Sequence, residues 1–266
     1  MILGILSFVF LATAHADTPT VAAPKEKHTV YVTPDHMFVP PGYDSTDVNV
    51  EVGLVGTLPN NCFELAGSPV VDHSRLDQGI IVLRQRAIYK PKLICTQISE
   101  PYLQIANLGA EIPAGNYQII VESSEKPTEP FTTAMTIAET ETGDIDNFHY
   151  LNIQDAFLTK KTVETVGQSE EETLLEDPKN KIKRFLNLRG EHRNVCVSLR
   201  DVDIKVFLKE RIIQVLPIVD LNQDPSCAKK VAEVVFSGEL PKLPEGQYLV
   251  HIRSAFGKSK NVLVDF

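Results

Sequence analysis

Gly53-Leu54-Val55-Gly56 followed by Asn60-Asn61-Cys62, and Asn187-Leu188-Arg189-Gly190 followed by Asn194-Val195-Cys196, are one block of sequence written twice. Leu, Gly, Asn and Cys coincide without a gap at an offset of 134 residues, as from Cys62 to Cys196. Downstream, Ile112-Pro113-Ala114-Gly115-Asn116-Tyr117 leading into Gln118-Ile119-Ile120-Val121 matches Leu243-Pro244-Glu245-Gly246-Gln247-Tyr248 leading into Leu249-Val250-His251-Ile252. The shared form is apolar-Pro-x-Gly-x-Tyr followed by an apolar strand. Upstream, Asp35-His36-Met37-Phe38-Val39 matches Asp155-Ala156-Phe157-Leu158 with one residue deleted. Self-similarity on this scale means two copies of one domain.

The copies run from about His28 to Ala138 and from about Phe148 to Phe266, joined by an acidic linker, Glu139 to Asn147. The second carries an insertion from Lys160 to Lys181, rich in Glu and Lys, which reads as a solvated loop with room for a helical turn through Glu170 to Leu175. Within each copy the apolar segments are short, rich in Val, Ile, Phe and Tyr, and punctuated by Gly, Pro, Asn and Asp. Thr29 to Val39, Val48 to Val55, Phe63 to Val71, Ile80 to Ile88, Tyr102 to Leu108, Tyr117 to Glu122 and Phe131 to Ile137 read as strands. In the second copy, Val202 to Leu208 and Ile212 to Val219 read as a hairpin across Lys209-Glu210-Arg211. The predicted class is all-β, with two tandem two-sheet β-sandwiches.

The two Pro-x-Gly-x-Tyr segments resemble the corner that introduces a late strand in immunoglobulin-like and fibronectin type III domains. That resemblance implies that the two sandwiches are immunoglobulin-like, makes Gly115, Tyr117, Gly246 and Tyr248 structural turn residues and implies a hydroxyl bonding back to nearby backbone. It is local: the chain has no Trp and no Cys two residues after either Tyr. As a whole the chain resembles secreted bacterial tandem β-sandwich repeat proteins, which share architecture more than activity.

Four cysteines allow three pairings. The separations are 33 residues for Cys62 and Cys95 and 31 for Cys196 and Cys227, at equivalent points of the copies, so the repeat predicts one bridge inside each domain. Close Cys-x-x-Cys or Cys-x-x-His spacing, which zinc would require, is absent from the sequence. Ile2 to Thr13 is an apolar run too short to span a membrane, and it leads into Ala14-His15-Ala16. Residues 1–16 therefore read as a signal peptide cleaved before Asp17, and Asp17 to Lys27 as a flexible leader. No later segment is long and apolar enough to span. The expected location is secreted or periplasmic, where disulfides persist.

With 26 Lys and Arg against 35 Asp and Glu the net charge is −9, and no basic cluster stands out, which argues against nucleic acid as a partner. There is no Gly-x-Ser-x-Gly elbow; Gly167-Gln168-Ser169 fails the pattern. His28, His36, His73, His149, His192 and His251 form no close ligand pair. Glu139, Glu141, Asp144 and Asp146 crowd the linker, but without calcium-loop spacing they read as plain acidic linker. No metal, no cofactor and no catalytic residue is expected. Tyr43, Tyr89 and Tyr102 are the candidate aromatic platforms for a carbohydrate. Asn60 and Asn194 suit turns because Asn tolerates positive φ.

These readings converge on a non-catalytic binding or accessory protein acting on an envelope or extracellular macromolecule through loops of two rigid sandwiches, the insertion being the first surface to consider. One alternative is a protease or hydrolase inhibitor working through a loop such as Arg84 to Pro91. Another is a structural spacer of the cell envelope.

Overall fold

The computed structural model of the chain describes residues 28–90, 94–123, 130–140, 149–162, 182–192, 196–221 and 230–266. The segments read from sequence as signal peptide and leader (1–27), linker residues 141–147, Phe148, most of the insertion (163–181), Asn194 and Cys227 lie outside the described residues. The first copy contributes β1 (His28–Val32), β2 (His36–Phe38), β3 (Val50–Leu58), β4 (Phe63–Leu65), β5 (Val70–Asp72), β6 (Ile80–Tyr89), β7 (Glu100–Gly109), β8 (Gly115–Val121) and β9 (Phe131–Ile137). The second contributes β10 (His149–Tyr150), β11 (Asn152–Thr162), β12 (Ile182–His192), β13 (Val197–Phe207), β14 (Ile212–Leu221), β15 (Ala232–Glu239), β16 (Gln247–Arg253) and β17 (Ser259–Asp265).

Each copy is a sandwich of the same two sheets. In the first, β2-β3-β7 faces β1-β6-β8-β9, with β4 and β5 on the far side of β6; in the second, β11-β12-β15 faces β10-β14-β16-β17, with β13 on the far side of β14. Alternation puts Val50, Val52 and Leu54 of β3 against Ile81 and Leu83 of β6 and Tyr117, Ile119 and Val121 of β8. Leu186, Leu188, Ile213, Val215, Tyr248, Val250 and Ile252 repeat that core in the second copy.

One ladder in each sandwich is parallel. The first half of β6 runs parallel to β8 (Ile80↔Gln118 to Leu83↔Val121), while its second half pairs antiparallel with β1 (Val32↔Gln85 to His28↔Tyr89). β14 repeats the change of partner, from β16 over Ile212–Val215 to β10 over Ile218 and Val219. Pro217 stands between the two partners, where its missing N–H leaves no ladder bond unmade, and its carbonyl accepts from Leu151 N at 2.9 Å.

Two sequence expectations need correction. Thr29 to Val39 is two strands in opposite sheets, because Pro34 ends pairing after Val32 and the chain crosses before His36. Phe63 to Val71 is also two strands, split by Gly67-Ser68-Pro69 with Gly67 at φ +72°. The repeated Gly has a packing cause: a Cβ on Gly56 would come within 2.5 Å of the Tyr102 hydroxyl, and one on Gly190 within 2.6 Å of Leu151 Cγ. Cys62 and Cys95 form a disulfide with Cα atoms 5.5 Å apart, tying the turn after β3 to the segment before β7. Cys196 is itself disulfide-bonded. Asn60 holds its turn through a bond from Cys62 N to its Oδ1 at 2.9 Å and is not among the positive-φ residues, so the mechanism differs from the one expected.

Candidate functional site

The alternation that sends Val50, Val52 and Leu54 into the first core turns Glu51, Gly53 and Val55 outward, and these meet the outward face of the second sandwich. At one end the contact is apolar: Phe38 and Val55 pack on Ile212 and Leu249, flanked by Leu103, Phe207 and Leu263. Gly53 permits the approach, since a Cβ there would already touch Leu249 Cδ2 at 3.4 Å. Phe38, Ile212 and Leu249 are almost wholly removed from solvent.

At the other end the same face becomes polar. Pro40 and Pro41 end β2, and Gly42 at φ +82° turns the chain so that its carbonyls face the second copy. The Arg253 guanidinium donates to Asp47 Oδ1 at 2.9 Å and to the Gly42 carbonyl at 2.8 Å, and lies 4.8 Å from the centre of the Tyr43 ring. The Arg253 and Asp47 side chains are 11% and 6% exposed. Gln214 Nε2 donates to the Pro41 carbonyl at 2.9 Å. Glu51 accepts from Asn49 Nδ2, from the Ser259 hydroxyl and, at 3.0 Å, from Asn261 Nδ2.

His251 completes this end. Both Asn261 donor bonds go to Glu51 and Ser259, so the Asn261 oxygen, 2.8 Å from His251 Nδ1, must be the acceptor. His251 therefore carries its proton on Nδ1 and presents Nε2 to the Tyr43 hydroxyl 3.5 Å away. Burial holds the imidazole neutral and lowers its pKa to about 4. Burial likewise raises the Tyr43 phenol, and it raises the Asp47 carboxyl although Arg253 opposes the shift. Beside the cluster a groove of about 410 Å³ opens between Asn49 and Glu51 of the first sandwich and Asn152, Gln154, Lys258 and Lys260 of the second.

The residues singled out from sequence lie elsewhere. Tyr117 packs in the first core with its hydroxyl donating to the Pro113 carbonyl at 2.6 Å, and Tyr248 packs in the second core edge-on to Phe266 at 5.2 Å. Gly246 takes φ +143°, whereas Gly115 opens β8 without a positive φ. As aromatic platforms, Tyr43 and Tyr102 fail, being 3% and 7% exposed, and Tyr89 is half-buried between His28 and Phe63. Among the described aromatics Phe256 projects furthest, 84% exposed, ahead of Phe157 at 48%. Arg84 to Tyr89 is no loop: it is the second half of β6, paired with β1 on one side and with β4 and β5 on the other. The inhibitor reading loses its loop.

Sequence reasoning missed Asp47, Glu51, His251 and Arg253. A signal was present in β16, where Leu249-Val250-His251-Ile252-Arg253 is buried on both faces while its counterpart β8 alternates. Residues 52–133, from within β3 to within β9, match the model of the ORF11 beta-sandwich domain. No curated protein and no solved structure matches the chain.

Proposed function

We propose that the chain is a non-catalytic binding or accessory protein of the extracytoplasmic space, secreted or periplasmic, in which two oxidised sandwiches act as one rigid body. The joint carries this reading. The residue types that would suit acid–base chemistry, Asp47, Glu51, His251, Arg253 and Tyr43, are all engaged there in holding one sandwich to the other. A rigid frame with loops and a groove at a domain boundary is suited to recognition. The Cys62–Cys95 bridge supports an oxidising compartment, as does the apolar run at the amino terminus.

Cell fractionation combined with crosslinking mass spectrometry on intact cells tests the proposal. The expected result is a chain beginning at Asp17, recovered outside the cytoplasm with no free thiol and crosslinked reproducibly to an envelope or extracellular macromolecule. Recovery of the chain from the cytoplasm with reduced cysteines, or without any reproducible neighbour, would overturn it.

A further inference from the structure

The turn between β16 and β17 breaks local rules. Phe256 adopts φ +62° and ψ +37°, left-handed backbone that a bulky residue rarely takes, and it holds its ring 84% exposed. The consecutive left-handed residues Phe256 and Gly257 seat the turn against the first sandwich, where a Cβ on Gly257 would come within 2.1 Å of Val48 Cγ2, and Ser254 N fixes the turn by donating to the Lys258 carbonyl at 2.8 Å. This turn carries Lys258 into the groove at the joint, and β17 continues it with Lys260. Both lysines are exposed and make no ion pair among the described residues, although the chain as a whole is acidic.

The opposite wall supplies acceptors and amides. Glu51 Oε2 already receives Ser259 and Asn261, while Oε1 receives Asn49 alone among the described residues, so a carboxylate held from both sandwiches has acceptor capacity left on that oxygen. Asn152 and Gln154, on the strand that forms the third side, add carboxamides that can both donate and accept. Two ammonium groups, three amides and an oriented carboxylate line about 410 Å³, and the exposed Phe256 ring stands on the adjoining turn just outside that lining, a combination for a ligand both anionic and rich in hydroxyls.

We propose that this groove binds an acidic saccharide. Lys258 and Lys260 meet its carboxylate or sulfate, Glu51, Asn152 and Gln154 meet its ring hydroxyls, and Phe256 covers the apolar face of a sugar ring. The proposal rests on the binding reading given above and adds a ligand class to it.

Calorimetric titration of the full oxidised chain at low salt tests it, with trigalacturonate and a chondroitin sulfate tetrasaccharide as acidic probes and maltotriose as the neutral one. Saturable binding of at least one acidic probe is expected, with maltotriose weaker by about tenfold or more and the acidic affinity falling as salt is added. The double substitution Lys258→Ala with Lys260→Ala should weaken binding by about tenfold, and Phe256→Gly by about threefold without lowering the melting temperature, since glycine relieves the turn. No saturable binding of either acidic probe, equal binding of maltotriose, or an affinity indifferent to the lysines would overturn the proposal. Those outcomes leave the crosslinked neighbours of the intact chain unchanged, so failure at the groove is distinguishable from failure of the accessory role.

Discussion

Arg253 reaches across the joint from β16 and meets a carboxylate, a backbone carbonyl and an aromatic face at once. Removing one partner of such a buried pair strands the other, so Arg253→Ala should cost about 3–5 kcal/mol in chemical denaturation. Replacing both partners, as Arg253→Met with Asp47→Leu, should recover most of that loss. Lys at 253 reaches no more than part of the constellation, having a point charge in place of a planar fork. His251 makes the joint sensitive to acid. Its folded pKa of about 4 lies below the ordinary 6.5, so between those values the unfolded chain binds the extra proton. Stability from this group is complete above pH 6.5, declines as the pH falls towards 4, and levels off below, for a total on the order of 3 kcal/mol. Tyr43, Glu51, Arg253 and Asn261 are the groups that face it. His36, lowered by burial and by Arg211, pushes in the same direction, while Asp47, raised by burial, pushes the other way near pH 4. His251→Gln should flatten the pH dependence of the denaturation midpoint; a profile identical to that of the parent would contradict the assignment.

Strand by strand, the sandwiches were legible where a strand keeps one solvated face and alternates, as β15 does over its whole length. The hairpin at Lys209-Glu210-Arg211 closes as expected, with Arg211 N donating to the Leu208 carbonyl at 3.3 Å. Pro34 and the Gly67-Ser68-Pro69 turn were visible but read through, since apolar residues continue on both sides and a change of sheet leaves no periodic trace. The parallel pairings of β6 with β8 and β14 with β16 were not legible, because alternation specifies which face is buried and not which neighbour supplies the hydrogen bonds. The repeated glycines yield a graded prediction. Gly190→Ala meets Leu151 and the Asn152 carbonyl at 2.8 Å, where backbone must move, whereas Gly56→Ala meets the far end of the Tyr102 ring. Both should destabilise, by about 1–3 kcal/mol, with Gly190→Ala the larger. Loss of the Cys62–Cys95 bridge, which closes a 33-residue loop, should cost about 3–4 kcal/mol in the chain-entropy view, measured as the shift in denaturation midpoint on replacing both cysteines with Ser.

Across the whole molecule the two copies diverge where one docks on the other. On the outward face of the three-stranded sheets, Phe38, Gly53, Val55, Leu103 and Ile105 of the first copy correspond by register to Phe157, Asn187, Arg189, Val235 and Ser237 of the second. Phe38, Gly53, Val55 and Leu103 of the first set lie at the joint, while Asn187, Arg189 and Ser237 of the second set are polar and at least partly open to solvent, as on a capping face. The receiving face changes in the opposite sense: Gln118, Ile120, Glu122 and Ala134 become Leu249, His251, Arg253 and Leu263. Duplication was readable from what the copies share, but the joint is written in how they differ, and a comparison made for likeness passes over it. Fusion of the faces makes the two sandwiches one cooperative unit, which scanning calorimetry of the oxidised chain reads out. A single transition with equal calorimetric and van't Hoff enthalpies is predicted, splitting into two when Leu249→Asp places a charge in the apolar end of the joint. Two independent transitions in the parent chain, or a Leu249→Asp variant that unfolds as the parent does, would contradict it.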